Sequence, residues 1–407
     1  MKILYVAGMG DPLKDIYTGK LEDEITHSAQ FFHPWYKLVK KGHQVDFVVV
    51  SNFNDEDNIK VDWFKKENIF ANIYDPYSEI AWYRRIFRRI KRFTKLLYYT
   101  NKAIKLNKYD FIYCFSYYEG LAGNIVANWH GVPCGMRSMG TMLNEDLKKY
   151  GILGTALRRP IEYIMFKMKK NFFIMTDDGT KGDIVYQAWK PKKEKYDYYF
   201  WKTGIDLTPI EKIHSDIELP KHPYLFFAAR FDNWKRHDKI IKILHNLHVK
   251  KHKIHLYFAG GVQSKSFFNE INQLVAEYGL EDYVHFLGAV KQAQVKLYAY
   301  HALANPLMYD VSNLGNVFFE IFSVGAIVVG KNDGSLNEYV KHNETGFLVE
   351  NEKQATDIIV ELIDDVQFKN KISKQAIAIA QQKFLSIDER FNKEVELIEK
   401  TIAQSKV

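Results

Sequence analysis

The chain has 407 residues, enough for about two or three domains that each bury a core. Hydrophobic residues make up 47%, as in a soluble globular protein, and no apolar run is long enough for a transmembrane helix. Two cysteines, Cys114 and Cys134, exclude a disulfide framework and a CxxC metal site and point to a reducing compartment, while the net charge of +8 leaves nucleic acid, acidic lipid and phosphorylated ligands as partner classes.

The chain opens on an apolar strand, Lys2 to Val6, without the long apolar region or cleavage site of a signal peptide. A glycine turn, Gly8-Met9-Gly10, follows, but Leu13 breaks the full G-x-G-x-x-G fingerprint. Gly10 is read either as a ligand contact or as a simple turn. Ser28 to Lys41 has the periodicity of an amphipathic helix, stopped by Gly42, and Gln44 to Val50 is a β-branched strand, completing a βαβ unit. Asp55 and Asp57 have a D-x-D spacing that fits an acidic surface loop or a cation site.

Ten basic residues and no acid fall between Arg84 and Lys108. Ile86, Ile90, Phe93 and Leu97 recur there at helical spacing, beside Trp82, Tyr83 and Phe87. The pattern predicts a basic amphipathic helix for an anionic membrane surface, or a solvated helix packing its apolar stripe. No helix-turn-helix, RRM or zinc-finger pattern supports nucleic acid. Phe111 to Ser116 reads as a strand, Gly120 to Trp129 as a helix and Val132 to Met136 as the next strand, with Arg137, Gly140 and Thr141 at its end. Arg137 suits a phosphate or hydroxyl contact, or a structural ion pair. Phe172 to Thr176 is the last strand of this half.

A composition shift near Gly204-Ile205-Asp206 marks a hinge. The second half opens on the buried strand Tyr224 to Ala229, followed by Arg230 and Lys235, two cations in one loop. Ile254 to Ala259 and Val284 to Leu287 are further strands. The most informative stretch runs from Tyr309 to Leu348. Gly315-Asn316 starts a short apolar helix that Gly325 stops, and such a start offers backbone N–H groups and positive dipole to a phosphate. Glu320 lies about one turn inside it, facing where a sugar hydroxyl would be. Ile327 to Val329 is a buried strand leading to a second polar loop, and two such loops at neighbouring strand ends form a ligand crevice. Helices follow from 355 onward.

On these residues the chain resembles the retaining glycosyltransferases of family 4, which have the GT-B fold. The resemblance is dense from Tyr224 to Leu348 and sparse before Gly204. Glu320 matches the second glutamate of the family's E-x7-E pattern, while Ser312 stands in place of the first and Asp310 is the nearest carboxylate. Met139 stands where many members have histidine, and Arg236 where they have glycine after the lysine. The resemblance implies an α/β fold of two Rossmann-like domains facing across a cleft. An acceptor domain would span 1–204, with 385–407 crossing back to it, and a donor domain 205–384.

It further implies that Arg230 and Lys235 are catalytic, stabilising the leaving diphosphate, and that the backbone at Gly315, Asn316 and Val317 caps it. Glu320 would take the ribose, with Ser312 and Asn313 alongside, and Gly10, Arg137, Gly140 and Thr141 would line the acceptor side. The expected reaction moves a hexosyl-type sugar from a nucleotide diphosphate sugar, UDP-sugar favoured, to a glycan or lipid-linked acceptor in envelope or exopolysaccharide synthesis. It retains anomeric configuration and needs no cofactor or metal. The expected location is cytoplasmic, peripheral at the inner face of the cell membrane. The alternatives are a noncatalytic subunit that binds a partner enzyme, supported by Ser312 and Met139, and a metal-dependent transferase using Asp55 and Asp57.

Overall fold

The structure, a computed structural model, describes residues 1–8, 29–51, 69–75, 82–193 and 195–406. Gly10, Asp55 and Asp57 lie outside them. Its contacts divide the chain into two units, Met1–Gly204 with Ile387–Val407, and Ile205–Ser386.

Among the described residues the first unit is built on seven parallel strands: β1 Lys2–Gly8, β2 Gln44–Ser51, β3 Ile69–Tyr74, β4 Phe111–Phe115, β5 Cys134–Ser138, β6 Phe172–Asp177 and β7 Asp197–Lys202. Their order is β3-β2-β1-β4-β5-β6-β7. The strands read as continuous apolar runs because both sheet faces are covered. Alternate side chains go to opposite faces. Ile3 and Tyr5 pack with Trp35, Phe47, Phe111 and Tyr113 on one face. Leu4 and Val6 pack with Ile112, Leu96, Phe166 and Trp189 on the other. Helix Ile387–Ser405 belongs to this unit, and its Val395, Ile398 and Ile402, at helical spacing, complete the first of these clusters.

A two-residue strand, β8 Gly204–Ile205, precedes the second unit's sheet. That sheet contains β9 Tyr224–Ala228, β10 His255–Ala259 and β11 Val284–Gly288, then β12 Asn305–Leu307, β13 Val328–Lys331 and β14 Phe347–Val349. The two triplets run β11-β10-β9 and β12-β13-β14, all parallel. A parallel bridge between Leu225 of β9 and Ala304 joins them. Counted from its own first strand, this unit therefore repeats the three-two-one-four-five-six order of the first. The order reverses between β1 and β4, and again between β9 and β12. In doubly wound sheets, the carboxyl ends of the strands at such a reversal are where ligands bind. Among the described residues, no helix is long and apolar enough to cross a membrane.

The basic segment forms helix Trp82–Leu106. Its cations are not all turned to solvent, however. Arg88 Nε and Arg92 Nη1 each lie 3.3 Å from a carboxylate oxygen of Asp75 at the end of β3, a partner supplied from outside the segment.

Candidate functional site

At the reversal in the second unit, β9 ends and the chain passes through Arg230 into the short turn Asn233–Lys235. Gly260, at the end of β10, has φ +149°, and a Cβ there would lie 2.0 Å from the Ala229 carbonyl oxygen. A side chain at 260 would therefore push aside the backbone that carries Arg230. Arg230 is exposed, with Nη1 3.5 Å from Gln263 Oε1. Lys235 is half-buried. Its Nζ lies 3.8 Å from the ring centroids of both Trp234 and Tyr309, a double cation–π contact. Tyr309 leads out of β12, and the Asp310 amide donates to the Trp234 carbonyl at 3.1 Å. The two strand-end loops are thus one structure.

Arg236 explains a departure noted in the sequence. It has φ +56°, the left-handed region where glycine is at ease, and it caps helix His237–Val249. An arginine is held there by its own fork. Nε and Nη2 donate to the two oxygens of Asp238 at 2.9 and 2.8 Å, and Nη1 to Asp310 Oδ1 at 2.9 Å. Asp310 is therefore engaged with Arg236.

Beyond Asp310 the loop is closed by its own side chains. Ser312 is buried, and its hydroxyl accepts from the Leu314 amide at 3.1 Å, so this position closes a turn. Asn313 is fully buried. Its Oδ1 accepts from the Tyr309 amide at 2.9 Å, and its Nδ2 donates to Asp333 Oδ2 at 2.8 Å, in the loop after β13. Helix Asn316–Ser323 follows Gly315, and its first internal bonds run from Phe318 and Phe319 back to the Gly315 carbonyl. The amides of Asn316 and Val317 precede those bonds, as at any helix start. A Cβ on Gly315 would meet nothing within 4 Å, so the fold's own packing does not require glycine there.

Glu320 is half-buried on this helix. Burial pushes its carboxyl up to about 7, against the lowering effects of a hydrogen bond to Gln292 and the charge of Lys296. Lys296 is fully buried and donates to the Asp206 carbonyl at 2.6 Å and to its Oδ2 at 2.8 Å. The network Gln292–Glu320–Lys296–Asp206 was missed in the sequence. Its members are spread over more than a hundred positions and share no local pattern.

In the first unit, a cavity of about 310 Å³ opens at the β1/β4 reversal, lined by Gly8, Arg92, Ser116, Glu119, Met139 and Gly140 among others. Glu119 is buried, and that burial raises its carboxyl above the ordinary range despite the charge of Arg92 and a hydrogen bond to Ser116. Ser116 has φ +82°, a strained conformation for serine at the strand-to-helix turn. Glu119 was also missed; position alone, just after a strand at the reversal, was the available signal.

Of the three expected acceptor-side residues that are described, Arg137, Gly140 and Thr141, only Gly140 lines this cavity, and a Cβ on it would collide with Asp178 Oδ1 at 1.9 Å. Arg137 is corrected. The strand is Cys134–Ser138, so Arg137 lies within it rather than beyond its end. It is fully buried, with Nη1 3.4 Å from Glu394 Oε2. Glu394 also accepts from Arg390 Nη1 at 2.8 Å and from the Tyr113 hydroxyl. Of the two readings open for Arg137, the structure gives the ion pair. Thr141 is buried as well, its hydroxyl accepting from the Leu143 amide at 3.1 Å and its own amide donating to Thr180 Oγ1 at 2.8 Å. Both residues serve the first unit's framework.

Two parallel α/β units with this shared strand order define the GT-B fold, the architecture of a large class of glycosyltransferases. Residues 209–379 match the model of the family described as glycosyl transferases group 1. Over 158 residues the chain is 28% identical to a GDP-mannose-dependent alpha-(1-6)-phosphatidylinositol monomannoside mannosyltransferase of Mycobacterium tuberculosis, and the match spans 36% of this chain and 40% of that protein. Sucrose-phosphate synthase from Thermosynechococcus elongatus shares the fold with a TM-score of 0.72 at 17% identity, over 99% of this chain and 100% of that one. Anabaena HepE, solved with UDP and glucose, does so with a TM-score of 0.65 at 16% identity, over 98% and 100%.

Proposed function

We propose that the chain is a retaining glycosyltransferase of family 4 that moves a hexosyl-type sugar from a nucleotide diphosphate sugar to a glycan or lipid-linked acceptor. The observation that carries this is the pairing, at the second unit's strand reversal, of two positioned cations with a helix start and a half-buried carboxylate. Arg230 and Lys235 lie in the one loop after β9, whose backbone is tied at Trp234 to the loop after β12. As the donor bond breaks, charge develops on the leaving diphosphate, and cations already fixed in place stabilise it without reorganising. The helix start at Asn316 and Val317 favours the same anion, and glycine at 315 leaves room for it against the backbone. Glu320 accepts from ribose hydroxyls.

The reaction runs without a metal in this reading, since the two cations supply the charge that an ion would. A UDP-sugar is the favoured donor, in line with the UDP held by HepE. A GDP-sugar is the competing choice, in line with the mycobacterial relative. A thermal-stability screen of UDP-, GDP- and ADP-sugars tests the donor, because a ligand that binds only the folded chain raises its stability. A shift with UDP-sugars supports the reading; no shift with any of the three overturns it. The anomeric configuration of the product, followed by NMR, tests retention.

The acceptor is assigned to the cavity beside Glu119, and its lipid-linked character to the helix Trp82–Leu106. Phe87 and Leu106 are 72% and 66% exposed there, with Ile90, Tyr98 and Lys91, Lys95, Lys102 and Lys105 also exposed. Apolar groups interleaved with lysines suit an anionic bilayer surface. We infer from this a cytoplasmic enzyme at the inner face of the membrane, acting in envelope or exopolysaccharide synthesis.

The second reading, a noncatalytic subunit, is favoured by one observation: Ser312 closes a turn where the family's donor-sugar glutamate would stand. Slow hydrolysis of the donor by the purified protein separates the two.

A further inference from the structure

Three histidines take no part in the transferase reading. His222 lies two residues before β9, His255 opens β10, and His285 is the second residue of β11. These are three adjacent strands of the second unit, in the order β11-β10-β9. Each histidine offers one ring nitrogen, and the three nitrogens lie within 4.8 Å of one another. His255 Nδ1 is 2.9 Å from His285 Nε2, and the rings of His222 and His255 stack with centroids 3.7 Å apart. The sheet face carrying them is only half-covered, since His255 and Tyr257 are half-buried while Leu256 and Phe258, pointing the other way, are buried.

We propose that His222, His255 and His285 form a binding site for a divalent transition metal of the zinc class. The donor set decides the class. Three imidazoles without a carboxylate suit zinc, cobalt, nickel or copper, and do not suit magnesium or calcium, which take oxygen ligands. Zinc–nitrogen bonds of about 2.0–2.1 Å in a tetrahedron put donor nitrogens roughly 3.3 Å apart, a spacing these rings reach by shifts of about an ångström. An outer partner is present too. The Tyr257 hydroxyl is 2.9 Å from His222 Nε2, the kind of contact that fixes a ligand ring's orientation. Packing alone does not account for the arrangement. Phenylalanine or tyrosine would serve an aromatic stack equally well, yet here two rings meet nitrogen to nitrogen.

The position defines the role. The cluster lies at the amino ends of the strands, and the nucleotide-side loops leave their carboxyl ends, roughly 13 Å away along the five residues of β10. The metal is a clamp across three strands, with no part in sugar transfer. Its presence and the transferase reading are therefore separable.

The test uses the full chain without a histidine tag, stripped with EDTA and then titrated with Co²⁺. One equivalent should bind with the visible absorption of a low-coordinate site, and one equivalent of Zn²⁺ should displace it. At a hundredfold excess over its Kd, Zn²⁺ should raise the second unit's melting temperature by about 5 °C. His255→Ala and His285→Ala should each weaken binding by at least about 100-fold and Tyr257→Phe by about tenfold, with no change for His245→Ala, on helix His237–Val249 and outside the cluster. Melting in EDTA reports whether each variant folds. Absence of the cobalt band in the wild-type chain, or equal binding by a folded His255→Ala/His285→Ala double variant, overturns the proposal. Donor turnover in EDTA reads the transferase assignment independently.

Discussion

Asn313 and Asp333 are joined at 2.8 Å, Nδ2 to Oδ2, across two loops that leave neighbouring strands. The same asparagine takes the Tyr309 amide on its carbonyl. One fully buried side chain thus fixes the loop that starts the Glu320 helix.

Asn313→Ala should lower stability by about 2–3 kcal/mol, because it strands a buried amide and a partly buried carboxylate. Nucleotide affinity should fall with it. Denaturant unfolding and calorimetry measure both; an unchanged midpoint would remove Asn313 from the framework of the site.

Arg230→Ala and Lys235→Ala should each reduce turnover by about 10²–10³. Their stabilities should differ. Arg230 is exposed, so its loss should leave the melting curve unmoved, while Lys235 lies over two rings and its removal should cost about 0.5–2 kcal/mol. Near-normal turnover in both variants would refute the diphosphate assignment.

Arg236→Gly and Arg236→Ala separate strain from pairing. Both lose the fork to Asp238 and the bond to Asp310, but only glycine relieves φ +56°. The glycine variant should be the more stable by about 1 kcal/mol. Equal stability would mean that the turn relaxes without its arginine.

Glu320 links binding to pH. Its folded value of about 7 lies above the unfolded value of about 4.5. Its contribution to stability is thus fully present below about pH 4.5 and is lost as pH rises through about 7. If ribose hydroxyls donate to the ionised carboxylate, as proposed, binding should expel a proton. Nucleotide affinity should therefore rise between about pH 5.5 and 8, with a buffer-dependent heat near neutrality. Glu320→Gln should abolish both effects and weaken affinity; a flat profile in the wild-type chain would place the ribose elsewhere.

For the basic helix, the side chains to reverse are Lys91, Lys95, Lys102 and Lys105, since Arg88 and Arg92 serve Asp75. Each exposed lysine is worth about 1 kcal/mol at an anionic surface, and the attraction weakens with salt. The wild-type chain should co-sediment with anionic vesicles at low salt and not with neutral ones. The fourfold Glu variant should stay in solution and keep its activity on a soluble acceptor analogue. Equal binding to both vesicle types would make this an ordinary surface helix.

Much of the framework was legible from apolar period and glycine stops. The helix read from Ser28 to Lys41 is Ala29–Lys40, and the one read as opening at Gly315 is Asn316–Ser323. Gly325 ends it at φ +79°, with the Ala326 amide returning to the Ile321 carbonyl. The acceptor-side reading of Arg137 rested on a strand read from Val132 to Met136, two residues early, while its alternative, the ion pair, is what the structure holds. That shift turned a mid-strand residue into a loop residue and a buried ion pair into a ligand contact. The Gln292–Glu320–Lys296 network and the Asp75 pairs were not legible, because each depends on distant residues and on burial, which no local pattern encodes.

The counter-charge that Arg137 requires has a consequence for how the chain is made. Glu394, and the apolar residues Val395, Ile398 and Ile402 beside it, leave the ribosome only after the whole second unit has been synthesised. Until then Arg137 lacks its counter-charge, and the cluster around Trp35 and Phe47 lacks the apolar side chains of that helix. Domains ordinarily fold in the order in which they emerge. Here the amino-terminal unit is expected to complete its core last, after the unit translated second.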